Sequence, residues 1–166
     1  LLQRLTGQDD VVIGIPSAGQ AAGGHHDLVG HCVNVLPLRM MIDTSAPFAD
    51  SLKQVRGDLL DAFDHSQYTL GSLLARLALP RDPGRLPLAS VLFNLDQALD
   101  ERSVSFPGLS FEFAGNPRVF ENFELFVNAV QLPAGIRLEC QYNRDLFEPA
   151  TIQSWLDAYA TLLRQA

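Results

Sequence analysis

The chain has 166 residues, 47% apolar and 19% charged, a composition that suits one globular domain or part of a larger one. A chain of this length can bury about 70% of the surface its unfolded state exposes, so a substantial core is within reach. The formal charge of −7 argues against nucleic acid and anionic membrane as partners, because both select basic surfaces.

Residues 1–5 have the spacing of the last turns of an amphipathic helix, cut part-way along. The chain is therefore expected to be a fragment of a longer polypeptide. The β-branched run 11–15 predicts a buried strand. Residues 16–30 hold four glycines among alanine and serine, and predict a long loop that is either functional or mobile. His25 and His26 lie in that loop, with His31 and Cys32 just after it. Their spacing matches no standard zinc pattern, so a solvated loop is the reading and no metal is expected.

Residues 28–39 are apolar and β-branched, and read as a strand that continues through residue 43. Alternation puts Val33, Val35 and Pro37 on one face and Asn34, Leu36 and Leu38 on the other. Asn34 is then an amide within an apolar strand. A buried amide without partners costs about 1–3 kcal/mol. So Asn34 is either tied to neighbouring backbone or open to a cavity where something binds.

Ser45 reads as a helix N-cap with Pro47 in the first turn. Phe48, Leu52, Val55, Leu59, Leu60 and Phe63 then recur at helical spacing, with Gly57 a mild defect. Residues 64–70 read as a turn or helix cap. Leu70, Leu73, Leu74 and Leu77 predict a second short helix, ended by Pro80, Pro83, Gly84 and Pro87. Residues 88–96 read as a strand, and 97–107 as polar and irregular. Leu109, Phe111 and Phe113 alternate. Residues 123–130 form a longer strand, and Leu132, Pro133, Ala134 and Gly135 a hairpin turn. Ile136, Leu138, Cys140 and Tyr142 alternate with Arg137, Glu139 and Gln141. Glu148 starts a last helix with Pro149 in its first turn. Cys32 and Cys140 both fall in apolar strand patterns, which favours buried, reduced thiols over a disulfide. No stretch reaches the roughly 18 apolar residues of a membrane span, and no signal peptide is visible, so the compartment reads as cytoplasmic.

Two segments carry a resemblance. Gly30, Val33, Asn34, Leu36, Pro37, Leu38 and Arg39 stand at the spacing of the GxFVNTLPLR motif of nonribosomal peptide synthetase condensation domains. Residues 6–19, from Thr6-Gly7-Gln8-Asp9-Asp10 to Ala18-Gly19, resemble the TGQDDVVxGxPxAGR segment of the same family. Two positions depart: Gln20 replaces the final arginine and Cys32 the usual aromatic. Weaker likenesses follow in order, at residues 64–70 (HQDxPFE), 85–96 (RNPLFQVxFNLQ) and 142–152 (YNxDLFxxxTI). The resemblance covers 6–163, but only the second half of a condensation domain.

It implies an α/β chain of the α+β type: a mixed sheet with helices packed on it, the C-terminal half of a chloramphenicol-acetyltransferase-like condensation domain. Residues 1–166 would be that subdomain, with the N-terminal subdomain elsewhere in a multidomain chain. The family joins two thioester-tethered groups by an amide bond in a tunnel between the subdomains. The tethers are phosphopantetheine arms of upstream and downstream peptidyl carrier proteins, so no cofactor is expected to bind directly. An adenylation domain is an expected neighbour. Residues 97–107 are expected to cross between the halves and help close the tunnel. The catalytic HHxxxDG belongs to the other half. His25-His26-Asp27 does not match it, because the aspartate comes three positions too early. No residue here is therefore assigned a catalytic role, and this part alone is expected to be inactive. The candidates for the tunnel wall are Asn34 and the loop carrying Gly14, Pro16, Ser17 and Gly19. Arg39 reads as a salt-bridge anchor. The alternative is a non-catalytic scaffold or carrier-docking module. Cut from its partner, the piece is expected to self-associate.

Overall fold

Alternating β-branched and aliphatic residues become strands when every second side chain can reach one apolar layer. In the computed structural model, which describes residues 1–22, 24, 27–80, 82–97, 106–110 and 119–166, five such runs pair. They are β1 (Asp10–Ala18), β2 (Val33–Met41), β3 (Val91–Gln97), β4 (Leu125–Leu132) and β5 (Gly135–Tyr142). The helices are α1 (Leu2–Thr6), α2 (Gly19–Ala22), α3 (Phe48–Asp64), α4 (Leu70–Leu77) and α5 (Pro149–Gln165). The described strands form one mixed sheet in the order β2-β1-β3-β4-β5. β1 is antiparallel to β2 and parallel to β3, β3 is parallel to β4, and β4 is antiparallel to β5. The expected mixed sheet with helices on it is what forms.

Register divides the strands into two faces. Val11, Ile13 and Ile15 share one face with Leu38 and Met40, Phe93 and Val127. Val55 and Leu59 of α3, Tyr159 of α5, and Leu1 and Leu2 at the start of α1 border the same space, a cavity of about 400 Å³. Helices α1, α3 and α5 thus cover this face. Leu36 and Leu38 are buried there, on the one face that the alternation of β2 gives them both. The opposite face carries Gly14 and Pro16, Val35 and Pro37, Leu92, Asn94 and Asp96, and Phe126, Asn128 and Val130. Pro37 is tolerated because β2 is an edge strand.

Several predicted boundaries move. β1 does not end at residue 15: Pro16, Ser17 and Ala18 pair with Val35, Asn34 and Val33. The stretch from Gly14 to Ala18 is strand, not loop, because β2 offers a full row of partners that outweighs the small-residue composition. Gly19 N–H then donates to the Cys32 carbonyl at 2.7 Å and α2 begins. With β1 gone, residues 28–32 have no partner strand among the described residues. Leu28 and Val29 are exposed, and Cys32 precedes β2 instead of lying in it. Ser45 is not a helix cap. Its N–H and Oγ both donate to Asp43 Oδ1, at 2.8 and 2.6 Å, turning the chain before Pro47, which takes the N-cap position. β3 starts at Val91 because Leu88 has φ 71° and Ala89 N–H donates to the Pro87 carbonyl at 2.9 Å. That γ-turn cannot continue as strand. β4 begins at Leu125, two residues later than predicted, and the hairpin to β5 closes at Leu132–Gly135 as expected. Cys32 and Cys140 are free thiols. His25, His26, Phe111, Phe113 and residues 98–105 of the expected crossing lie outside the described residues. No helix among the described residues is long and apolar enough to cross a membrane.

Candidate functional site

Parallel strands bring their carboxyl ends to the same end of a sheet, where crevices of α/β sheets take ligands. β1, β3 and β4 are parallel, so Ala18, Gln97 and Leu132 mark one end. β2 runs back from that end, with Asn34 opposite Ser17. Pro16, Ser17, Gly19 and Asn34 therefore gather here. Gly14 lies further in. The sheet separates them: Gly14 and Pro16 belong to the face opposite the helices, Ser17 and Asn34 to the helix-covered face.

Asn34 is tied to backbone on every side. Its Nδ2 donates to the carbonyls of Ser66 and Tyr68, at 3.2 and 3.3 Å. Its Oδ1 accepts from Val35 N–H at 3.0 Å and Leu70 N–H at 3.3 Å. The amide so replaces a strand's hydrogen bonds and holds the α3–α4 connection against the sheet. Of the two roles open to it, backbone tie is the one the geometry supports. His65 caps the end of α3, with Nδ1 2.8 Å from the Asp61 carbonyl.

Gly14 and Gly19 are there for space. A Cβ on Gly14 would lie 2.8 Å from both Leu92 Cδ1 and Val35 Cγ1. One on Gly19 would lie 2.6 Å from the Cys32 carbonyl oxygen. Arg39 anchors an ion pair, as its position favoured: Nε and Nη2 donate to the two oxygens of Asp10 at 2.9 and 2.7 Å. These bonds hold the Asp10 carboxyl below its ordinary range.

The face opposite the helices holds residues that the tunnel-wall candidates left out. Asn94 and Asn128 stand in register on β3 and β4. Asn94 Nδ2 donates to Asn128 Oδ1 at 3.0 Å and to Asp96 Oδ1 at 2.8 Å. The available signal was an asparagine at the same depth in each of two apolar strands. Their pairing is invisible until the strands are aligned. On β5, Arg137 Nη2 lies 2.8 Å from Glu139 Oε1, so this cation is already engaged. Burial pushes the Cys140 thiol up to about 11, which keeps it protonated and unreactive at neutral pH. Among the described residues no three His, Cys, Asp or Glu side chains converge as a metal site. The chemistry on offer at this end is hydrogen bonding by neutral amides.

A family model described as Condensation domain matches residues 1–166. The chain is 35% identical over 164 residues to a linear gramicidin synthase of Brevibacillus parabrevis, covering 98% of this chain and 2% of that protein. It is 33% identical to surfactin synthase subunit 1 of Bacillus subtilis, covering all of this chain and 5% of that one. The chain thus spans a small part of the curated relatives it matches. In structure it resembles the condensation domain of the monacolin K polyketide synthase MokA, with a TM-score of 0.78 and 21% identity over 98% of this chain and 38% of that one. It also resembles AB3403, a four-domain nonribosomal peptide synthetase, with a TM-score of 0.78 and 20% identity over 92% of this chain and 13% of that one.

Proposed function

The chain belongs to the condensation-domain family, and on that premise we propose that it is the C-terminal subdomain of such a domain and forms one wall of its substrate tunnel. The intact domain joins two acyl groups, each carried on the phosphopantetheine arm of a carrier protein, by an amide bond. Its partners are the N-terminal subdomain, the upstream and downstream carriers and an adenylation domain, in the cytoplasm. The observation that carries the reading is that Pro16, Asn94 and Asn128 share one face of the sheet towards the carboxyl end of three parallel strands, with Gly19 just beyond that end. Such a wall supplies orientation, which lowers the barrier by fixing the approach of amine to thioester. The proton-accepting histidine comes from the other subdomain. Gly14, Pro16, Ser17 and Gly19 shape the wall through backbone, and Asn34 holds the α3–α4 connection behind it.

The test is amide formation by the full polypeptide with donor- and acceptor-loaded carrier proteins, read by mass spectrometry. Product is expected, and it should vanish when the second histidine of the HHxxxDG motif of the N-terminal subdomain is replaced by alanine. If both loaded carriers bind and no product forms, the scaffold reading replaces this one. The 166-residue piece alone is expected to dimerise or aggregate in light scattering, since Phe48, Leu52 and Leu60 of α3 stay more than half exposed.

A further inference from the structure

An open sheet ends in two rows of backbone N–H and C=O groups, and each row is either blunted or left able to pair. Among the described residues, β2 and β5 are the end strands, and their edges are finished differently. The β2 edge is blunted. Val35 N–H is taken by Asn34 Oδ1, Pro37 has no N–H to offer, and the α3–α4 connection lies against the strand through Ser66, Tyr68 and Leu70. The β5 edge has no such device. It contains no proline, no strand pairs with its outer side among the described residues, and Ile136, Arg137 and Glu139 are exposed. What it carries is a pair of opposite charges two residues apart. Arg137 and Glu139 share one face, opposite Val130 and Asn128 of β4, and lie 2.8 Å from each other.

We propose that the β5 edge is an interface for a second copy of this chain, paired antiparallel about a two-fold axis at Leu138. In a ladder centred there, residue 137 stands opposite residue 139 of the other copy, and residue 136 opposite residue 140. Arg137 of each copy then faces Glu139 of the other. Both opposite-charge pairs form together, because the axis repeats every contact. The bond each pair makes within its own strand is replaced by one across the axis, so no charge is left alone. On the other face Leu138 meets its own counterpart and Ile136 meets Cys140. The backbone closes as well. Opposite residues in this register differ by an even number, so the alternate set of N–H and C=O groups that points outward on one copy meets the same set on the other. The charges also fix the register. A shift of two residues either way, the next one the backbone allows, sets arginine against arginine or glutamate against glutamate. The interface does not depend on amide formation by the intact domain. It lies at the other end of the sheet from α3, which packs on β2, so it is distinct from the exposed apolar side chains of that helix.

Sedimentation of the full polypeptide over a range of concentrations tests this. A dimer is expected as concentration rises. Arg137→Glu and Glu139→Arg each set like charges opposite one another in both pairs, and each is expected to weaken the dimer about tenfold. An equimolar mixture of the two variants puts an acidic strand against a basic one, and dimer is expected to return as a mixed pair. The double variant Arg137→Glu/Glu139→Arg is expected to recover it unaided. Both sites are exposed, and thermal melts establish that each variant is folded. A monomer at every concentration, a dimer indifferent to both single changes, or loss in the single variants without recovery in their mixture overturns the proposal.

Discussion

The two faces of the sheet use the same residue in opposite ways. On the helix-covered face, Asn34 engages four backbone groups, and its amide has become part of the scaffold. On the opposite face, Asn94 bonds to Asn128 and to Asp96, and a donor of Asn128 and an acceptor each of Asn94 and Asp96 find no partner among the described residues. A fully satisfied amide specifies structure, whereas a partly satisfied one at an accessible surface is available to a ligand. The difference lies in what reaches each strand: the α3–α4 connection closes on Asn34, while Asn94 finds its partners within the sheet.

That contrast can be broken most forcefully at Asn34. Asn34→Leu leaves two carbonyls and two N–H groups of the connection and of β2 without their partner. A loss of about 2–3 kcal/mol is expected in urea denaturation, against a change within about 0.5 kcal/mol for Asn128→Leu. Equal costs would show that both amides are scaffold. Next in size is Gly19→Ala, whose Cβ meets a carbonyl oxygen of the backbone and not a movable side chain. It is expected to cost about 1–3 kcal/mol and to speed hydrogen exchange at the Gly19 N–H, while Gly14→Ala, which meets only side-chain atoms, costs less.

The pH dependence sharpens the same comparison from β5. Cys140 is opposite Val127 on the helix-covered side, and burial raises its thiol from 9.0 to about 11. The folded state then holds a proton that the unfolded state has lost. Stability is therefore expected to be intact below pH 9 and to fall as pH rises from 9 through 11. Tyr159, which lines the cavity under the helices, shifts in the same direction for the same reason. Melting temperature against pH in wild type and Cys140→Ala measures the part owed to the thiol; parallel curves would remove it. The smallest effect is at the end of α4, where Ala78 sits at φ 45° and ψ 42°. Ala78→Gly relieves a left-handed conformation that costs an L-residue about 1–2 kcal/mol, and a net gain of about 0.5 kcal/mol is expected in the same denaturation assay.

Much of this was legible in residue order. The alternation of β2 put Leu36 and Leu38 on one face, and the 3.6-residue spacing of Val55, Leu59 and their neighbours marked α3. The hairpin at Pro133-Ala134 and the helix starting at Pro149 were equally local signals. The two motifs of residues 6–19 and 30–39 identified the family. The errors also have local causes. Small residues at 16–18 resemble a loop, yet they pair because β2 lies beside them. Leu28 and Val29 resemble a strand, yet no described strand lies beside them once the chain has turned at Gly19.

By itself, then, the sequence determined the elements, their buried faces and the family, because periodicity, turn chemistry and motif spacing are written within a few residues of one another. Only the tertiary structure decided which candidates meet. Asn34 finds three of its four partners 32 to 36 positions away, and Asn94 finds Asn128 34 positions away. Those meetings depend on strand order and register, which are set by the packing of the whole sheet.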